Sequence, residues 1–266
     1  MAHGYWEPHS SSIDFCEPNY LLTEYIAEPH NVWSSALIPL MALTGYLYSN
    51  PTHEKRFSVM YLVLGLVGVG STALHWTLHW IPQSSDELPM LWVSLSIVYA
   101  LYTTREQRGS TRSRTLGYLF ALIGLLESVI YYTFQQIYIV FVLSIVVCTA
   151  AVVAWLLWLT FWEPNKSFRP IRLSLFYTAF ASLVLVGTSV WVVDMNLCPL
   201  LLPHYMHTGG LTLHVVWHLG SAFGTYVTFL FAEAVRVQSL QQTPRLSYVC
   251  GFFPIVTIPG IDAKED

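Results

Sequence analysis

Charge is the scarcest feature of this sequence. Only 11 % of its 266 residues are charged, 12 cations and 16 acids, against about 25 % in ordinary soluble domains. So few charges cannot clothe a soluble enzyme of this size. A disordered chain is excluded as well, because 54 % of the residues are hydrophobic. The net charge of −4 offers no basic footprint for nucleic acid. Internal repeats and low-complexity tracts are absent. Residues 1–30 are polar and acidic, without the basic start and apolar run of a secretory signal. What the chain has in excess is aromatic: 10 Trp and 16 Tyr suit interfacial belts. The expectation is a single integral membrane domain, 1–266.

A membrane span needs about 20 mostly apolar residues. Seven stretches qualify: 31–49, 57–79, 88–104, 115–134, 137–162, 172–194 and 209–232. Breakers separate them, namely Asn50-Pro51, Pro82, Gly109-Ser110, Pro164, Pro199 and Pro203, with Gln135-Gln136 the slightest. The fold class expected is all-α, a polytopic seven-transmembrane helix bundle. Residues 1–30 form an outer loop and 233–266 a tail.

Lys and Arg are missing altogether from the N-terminal segment and from three connections. All 12 lie elsewhere: Lys55 and Arg56; Arg105, Arg108, Arg112 and Arg114; Lys166, Arg169 and Arg172; Arg236, Arg245 and Lys264. Four alternate segments therefore agree under the positive-inside rule. The N-terminus is expected to be lumenal or extracellular and the C-terminus cytosolic.

Nine of the ten histidines fall on or near the outer side, His53 being the exception. His75 and His79 end the second span, and His214 and His218 begin the seventh. Residues four apart share a helix face, and ionisable groups in spans usually face the bundle interior. Three imidazoles plus water make a catalytic zinc site. Four candidates compete for three positions, and spacing leaves His75 and His79 open. One HxxxH pair alone reads equally as packing. His3, His9, His30, His204 and His207 read as solvated loop residues.

Ser71 lies one turn before His75 and reads by itself as a back-bonded helix serine. Asp86, flanked by Ser84, Glu87 and Pro89, has the look of a helix start. Beside an activated water it would be a proton shuttle. Asp194 is either a partner of a ligand histidine or an interfacial carboxylate. Asp14, Glu17 and Asn19, followed by Glu28, hold oxygen ligands at calcium-loop spacing. They lack the glycine and final Glu of an EF-hand, so by spacing alone an acidic surface is the plainer reading. Cys16 and Cys198 share the oxidising side and allow a disulfide, the alternative being two free thiols. Cys148 lies in the fifth span and Cys250 in the tail.

These residues carry a resemblance. Gly4-Tyr5-Trp6, Asp14-Phe15-Cys16-Glu17-Pro18-Asn19-Tyr20, Tyr25-Ile26-Ala27-Glu28 with Asn31, Gly70-Ser71 with His75, Asp86-Glu87-Leu88-Pro89-Met90, Asp194 with Cys198, and His214-Val215-Val216-Trp217-His218 occur in order. The chain resembles the alkaline ceramidases, within the broader group of seven-span intramembrane metal hydrolases. The resemblance implies zinc on His75, His214 and His218. It implies calcium on Asp14, the Phe15 carbonyl, Glu17, Asn19 and Glu28, and a Cys16–Cys198 bridge. It further implies Asp86 and Ser71 as catalytic residues and a ceramide-type lipid drawn from the bilayer as substrate. The address implied is the endoplasmic reticulum or Golgi, with no nucleic acid and no obligate protein partner. Phe15 stands where the family more often has Trp, a change a backbone ligand tolerates. Pro29-His30 replaces a more usual aromatic pair. Two other readings share the His/Asp/Ser set: a progestin- or adiponectin-receptor-type protein, and an esterase acting on glycerolipids. The first group usually has a cytoplasmic N-terminus, against the cation count, and the calcium-type loop argues against the second.

Overall fold

The computed structural model describes residues 4–134, 137–163 and 169–259. His3, Gln135-Gln136, Pro164, Lys166 and Lys264 lie outside the described residues. Within them the chain runs α1 (Pro29–Tyr48), α2 (Lys55–Thr77), α3 (Trp80–Tyr102), α4 (Thr111–Phe134) and α5 (Tyr138–Leu157). A π-helical turn, Trp158–Trp162, prolongs α5. Then come α6 (Arg169–Phe180), a second π segment (Ala181–Thr188), α7 (Ser189–His207) and α8 (Leu213–Ser239). The exception to an all-α chain is the antiparallel hairpin β1 (Arg245–Val249) and β2 (Phe253–Thr257), with Arg245 opposite Thr257.

Among the described residues, five helical rods are long and apolar enough to cross a membrane: Lys55–Thr77, Thr111–Phe134, Tyr138–Trp162, Arg169–His207 and Leu213–Ser239. Helices α1 and α3 dilute their apolar runs with buried polar residues. These are Asn31, Ser34 and Ser35 on α1, and Gln83, Ser84, Asp86 and Glu87 on α3.

Local chemistry places the helix ends. Pro29 occupies the first turn of α1, where its missing N–H costs nothing. Leu78 adopts the left-handed conformation (φ 50) and ends α2. Three further boundaries depart from the sequence reading. Helix α3 starts at Trp80, so Asp86 is an interior position, and Ser84 bonds back to the Trp80 carbonyl at 2.9 Å instead of capping. The sixth rod does not stop at 194. It continues to His207 across a kink at Leu197, where Pro199 disturbs the hydrogen-bond ladder. Helix α8 continues through Ser239 into the expected tail, and the hairpin folds back beneath it. Tyr226 donates to the Pro254 carbonyl at 2.7 Å, and the Val256 N–H donates to Ser49 Oγ at 3.3 Å.

Burial divides the bundle into a core and a rim. From Tyr226 to Gln238 every residue of α8 is buried, as expected for a helix surrounded by others. On α4 only Gly124 and Tyr131 are buried, and Leu119, Leu122, Leu125 and Leu126 are exposed. An outward apolar face of that kind suits lipid, not water. One end of the bundle gathers the cation-bearing segments. Arg56 donates to the Thr103 carbonyl at 2.6 Å, Arg108 to His53 at 2.9 Å and Arg236 to Thr104 at 2.7 Å. Glu54 pairs with both Arg56 and Arg236 at 2.6 Å. The N-terminal loop covers the other end, donating to Leu78, Trp76 and His75 carbonyls.

Candidate metal centre

Three imidazoles meet beneath the N-terminal loop. His75 comes from the last turn of α2, His214 and His218 from the first two turns of α8. One ring nitrogen of each lies within 4.8 Å of the others, and all three side chains are buried. His79 does not join them. The break at Leu78 turns it away, and its Nε2 meets the Trp6 carbonyl at 2.8 Å.

The partners of two rings fix which nitrogen faces inward. His75 Nδ1 lies 2.5 Å from Glu28 Oε2. A carboxylate accepts, so Nδ1 carries the proton and Nε2 keeps its lone pair. That Nε2 is buried without a hydrogen-bond partner. Ser34 Oγ donates to the His30 and Asn31 carbonyls and lies 2.8 Å from His218 Nδ1. With the Ser34 proton on a backbone carbonyl, His218 Nδ1 donates to Ser34 Oγ and its Nε2 presents the lone pair, on the side where Ser71 lies. His214 Nδ1 is likewise buried and unpartnered. Neutral imidazoles with inward lone pairs and carboxylate or hydroxyl supports are the donor set that zinc selects. Buried polar atoms rarely stay unpaired, and a divalent ion would satisfy these.

Ser71 and Asp86 sit beside the cluster. Ser71 Oγ is 2.9 Å from Ser35 Oγ and 3.5 Å from His218 Nε2, and it faces the Asp86 carboxylate. The neighbouring helical Thr72 bonds back to a backbone carbonyl at 2.7 Å; Ser71 makes side-chain contacts instead. Gly70 makes the approach possible. A Cβ there would lie 1.9 Å from the Ser85 carbonyl oxygen, so α2 and α3 touch backbone to backbone next to both residues. Glu87, one residue on, is fully engaged by Gln83 at 3.0 Å and Tyr131 at 2.6 Å and ties α3 to α4.

Below the imidazoles opens a cavity of about 420 Å³. Its head is lined by Ser71, Asp86, His214 and His218, its walls by apolar residues such as Val93 and Ile145. Trp217 lines it too, against Trp191 at 6.0 Å.

The oxygen-rich loop is only partly drawn together. Glu17 closes the start of α1, accepting the His30 and Asn31 N–H groups at 2.7 and 2.8 Å. Asp14 accepts from Asn19 at 3.1 Å. Glu28 is fully buried and also accepts from Asn31 at 3.1 Å. Asn19 Oδ1 and Glu28 Oε1 are buried without partners, which suits a hard, oxygen-seeking cation. Burial pushes the Glu17 carboxyl up to about 8 and Glu28 well above the usual range, with neighbouring acids adding to both. The Phe15 ring, 4.8 Å from His75 and 4.4 Å from His214, covers the imidazoles.

Cys16 and Cys198 form a disulfide, Cα–Cα 5.5 Å, joining this loop to α7. Asp194 accepts from Tyr205 at 2.7 Å, and the Tyr205 hydroxyl accepts from the Leu213 N–H at 3.3 Å, so the pair anchors the start of α8 beside His214. His9 and His30 are half-buried and each has a partner: His9 meets Tyr20 at 3.0 Å, His30 the Gly209 carbonyl at 3.0 Å. His204 and His207 close the last turn of α7. Sequence reasoning missed Ser34, Ser35 and Asn31 as site residues. Their signal was present, since polar residues opening an apolar span usually face inward.

Comparison with known proteins agrees on one family. The family model described as Ceramidase matches residues 7–259. Alkaline ceramidase 3 of Mus musculus is 29 % identical over 268 residues, covering 95 % of this chain and 94 % of its own. An alkaline ceramidase of Arabidopsis thaliana is 29 % identical over 264 residues, covering 97 % and 98 %. One of Saccharomyces cerevisiae is 27 % identical, covering 92 % and 83 %.

Proposed function

Because this chain belongs to the ceramidase family, as the match across 7–259 shows, we propose that it hydrolyses the amide of ceramide to a sphingoid base and a fatty acid. The observation that carries the reading is three buried imidazoles within 4.8 Å, two of which, His214 and His218, line the head of an apolar cavity with Asp86 and Ser71. An amide carbonyl is a poor electrophile and its amine a poor leaving group. A zinc ion on His75, His214 and His218 would supply Lewis acidity for both carbonyl and water. Asp86 takes a proton from the attacking water and returns it to the departing nitrogen. Ser71 Oγ donates to the oxygen that gains charge. Glu28 and Ser34 hold the His75 and His218 rings, and Phe15 shields them from water. The cavity walls take the two hydrocarbon tails, which reach the site sideways from the bilayer.

The same reading holds calcium on Asp14, the Phe15 carbonyl, Glu17, Asn19 and Glu28, bracing the loop over the imidazoles. All seven rods cross the membrane, α1 and α3 included, since their polar residues point inward. The N-terminus faces the lumen and the cation-rich end the cytosol, in the endoplasmic reticulum or Golgi membrane. The test is release of sphingoid base from a ceramide panel by the purified protein at neutral and alkaline pH, with His214→Ala as control. Release that the control lacks supports the reading. A folded, zinc-loaded protein that releases nothing points to a receptor, and one that cleaves only glycerolipid esters to a lipase.

A further inference from the structure

Helix α3 begins without a cap of its own. His79, at its N-cap, makes no side-chain bond to the first turn, and the opening N–H groups of a helix have no partner within it. The N-terminal loop supplies partners instead. Ser10 Oγ accepts the Trp80 N–H at 3.2 Å, and the Ser10 and Ser11 N–H groups donate to the Leu78 carbonyl at 3.1 and 3.0 Å. The grip then closes on one side chain. The Ser12 N–H donates to Gln83 Oε1 at 2.8 Å, and Gln83 Nε2 donates to Ser12 Oγ at 2.6 Å and to Glu87 Oε1 at 3.0 Å. Both amide protons and the amide oxygen of Gln83 are thereby used. The Ser12 N–H needs an acceptor, which fixes the orientation of the amide. Glu87 Oε2 in turn accepts from Tyr131 at 2.6 Å. Gln83, Glu87 and Tyr131 are all buried.

This chain of bonds runs past Asp86. Gln83 and Glu87 lie one turn apart on one face of α3, with Asp86 between them in sequence. Elsewhere on the same turn, α3 presses its Ser85–Asp86 backbone against Gly70 of α2. At the loop end, Ser12 comes three residues before Phe15, whose ring covers His75 and His214. A buried polar network with every member satisfied rigidifies what it joins. We propose that Gln83 is a positioning residue for the hydrolysis. It ties the loop to α3, so that Asp86 keeps its place beside Ser71 only while Phe15 covers the imidazoles. This rests on the reading of Asp86 as the proton carrier.

The whole purified protein is assayed for kcat and KM on ceramide, with zinc content and amide exchange read on the same samples. Gln83→Leu should lower kcat about tenfold with KM and zinc unchanged, and should speed exchange in residues 10–17 and 84–88 together. Gln83→Glu keeps an acceptor for the Ser12 N–H but sets two carboxylates against each other. There kcat should fall while the loop stays protected. Adding Glu87→Gln to that variant again faces a donor with an acceptor and should recover most of kcat, which a packing role alone would not produce. Should Gln83→Leu fail to fold, Ser12→Ala carries the test, lowering kcat about threefold. Native kcat with a loosened loop would overturn the coupling, as would a loss confined to KM or zinc, or an exchanged pair that recovers nothing. A wild type that releases no sphingoid base removes the reading of Asp86. Unchanged exchange at 84–88 in Gln83→Leu removes the link between loop and α3 by itself.

Discussion

At the residue scale, Glu28 is the pivot between the two proposed ion sites. One oxygen holds His75 and the other is unpartnered beside the acidic loop. Removing a carboxylate that orients a ligand histidine typically costs about 10–100-fold in metal affinity or activity. Glu28→Ala should therefore lower zinc content, activity and melting temperature together. Zinc content measured by mass spectrometry separates it from a calcium-only effect, because a calcium chelator should lower stability without stripping zinc. His214→Ala should abolish turnover while leaving the protein inserted, and full activity in that variant would remove the zinc reading. Ser71→Ala should reduce kcat by about 10²–10³, the usual loss for one donor to a developing oxyanion. A variant that raises only KM would make Ser71 a binding residue instead. The sequence made the histidines of the second and seventh spans legible because ionisable groups in an apolar span stand out; the choice of His75 over His79 and the roles of Ser71 and Asp86 came from the family resemblance. The sequence did not make Ser34 and Ser35 legible, because serines in helices are ordinarily back-bonded.

At the scale of elements, the bond between α2 and α3 is a backbone contact permitted by Gly70. Gly70→Ala places a methyl against the Ser85 carbonyl and forces the helices apart. Overpacking of this sort costs about 1–3 kcal/mol. The expected outcome is a lower melting temperature and reduced activity, since Ser71 and Asp86 lie on the two separated faces. An unchanged melt would show that α3 can shift freely. Helix boundaries were the least legible feature. The Ser84–Glu87 spacing imitates a helix start, yet α3 begins a turn earlier, at Trp80, because the left-handed Leu78 ends α2 abruptly. The hairpin after α8 left no trace in hydropathy, since its five-residue strands alternate too briefly to stand out.

At the scale of the whole molecule, the Cys16–Cys198 bond closes across 182 residues of sequence. Loss of such a bond typically costs about 2–5 kcal/mol. Cys16→Ser should lower thermal stability and loosen the loop that carries Glu17 and Glu28, read by faster amide exchange in residues 5–28. Unaltered exchange there would show that Glu17 alone holds the loop to α1. Orientation has its own check. Cys250 is exposed on the hairpin turn. In sealed microsomes an impermeant maleimide added outside, the cytosolic face, should label it. Labelling only after permeabilisation would invert the proposed topology.

The sequence by itself determined that this is a helical membrane protein, which end gathers the cations, and which residue types carry the chemistry. Those follow from solvation: apolar runs seek lipid, cations stay at one face, and polar groups in a span must point inward. Which imidazoles meet, which nitrogen each presents, and what Glu28 and Asp194 touch were decided only by the tertiary structure. Those depend on where α2 breaks, on how closely α2 and α3 pack at Gly70, and on a loop folded over the bundle from far away in sequence. Spacing along one helix cannot encode a distance between helices.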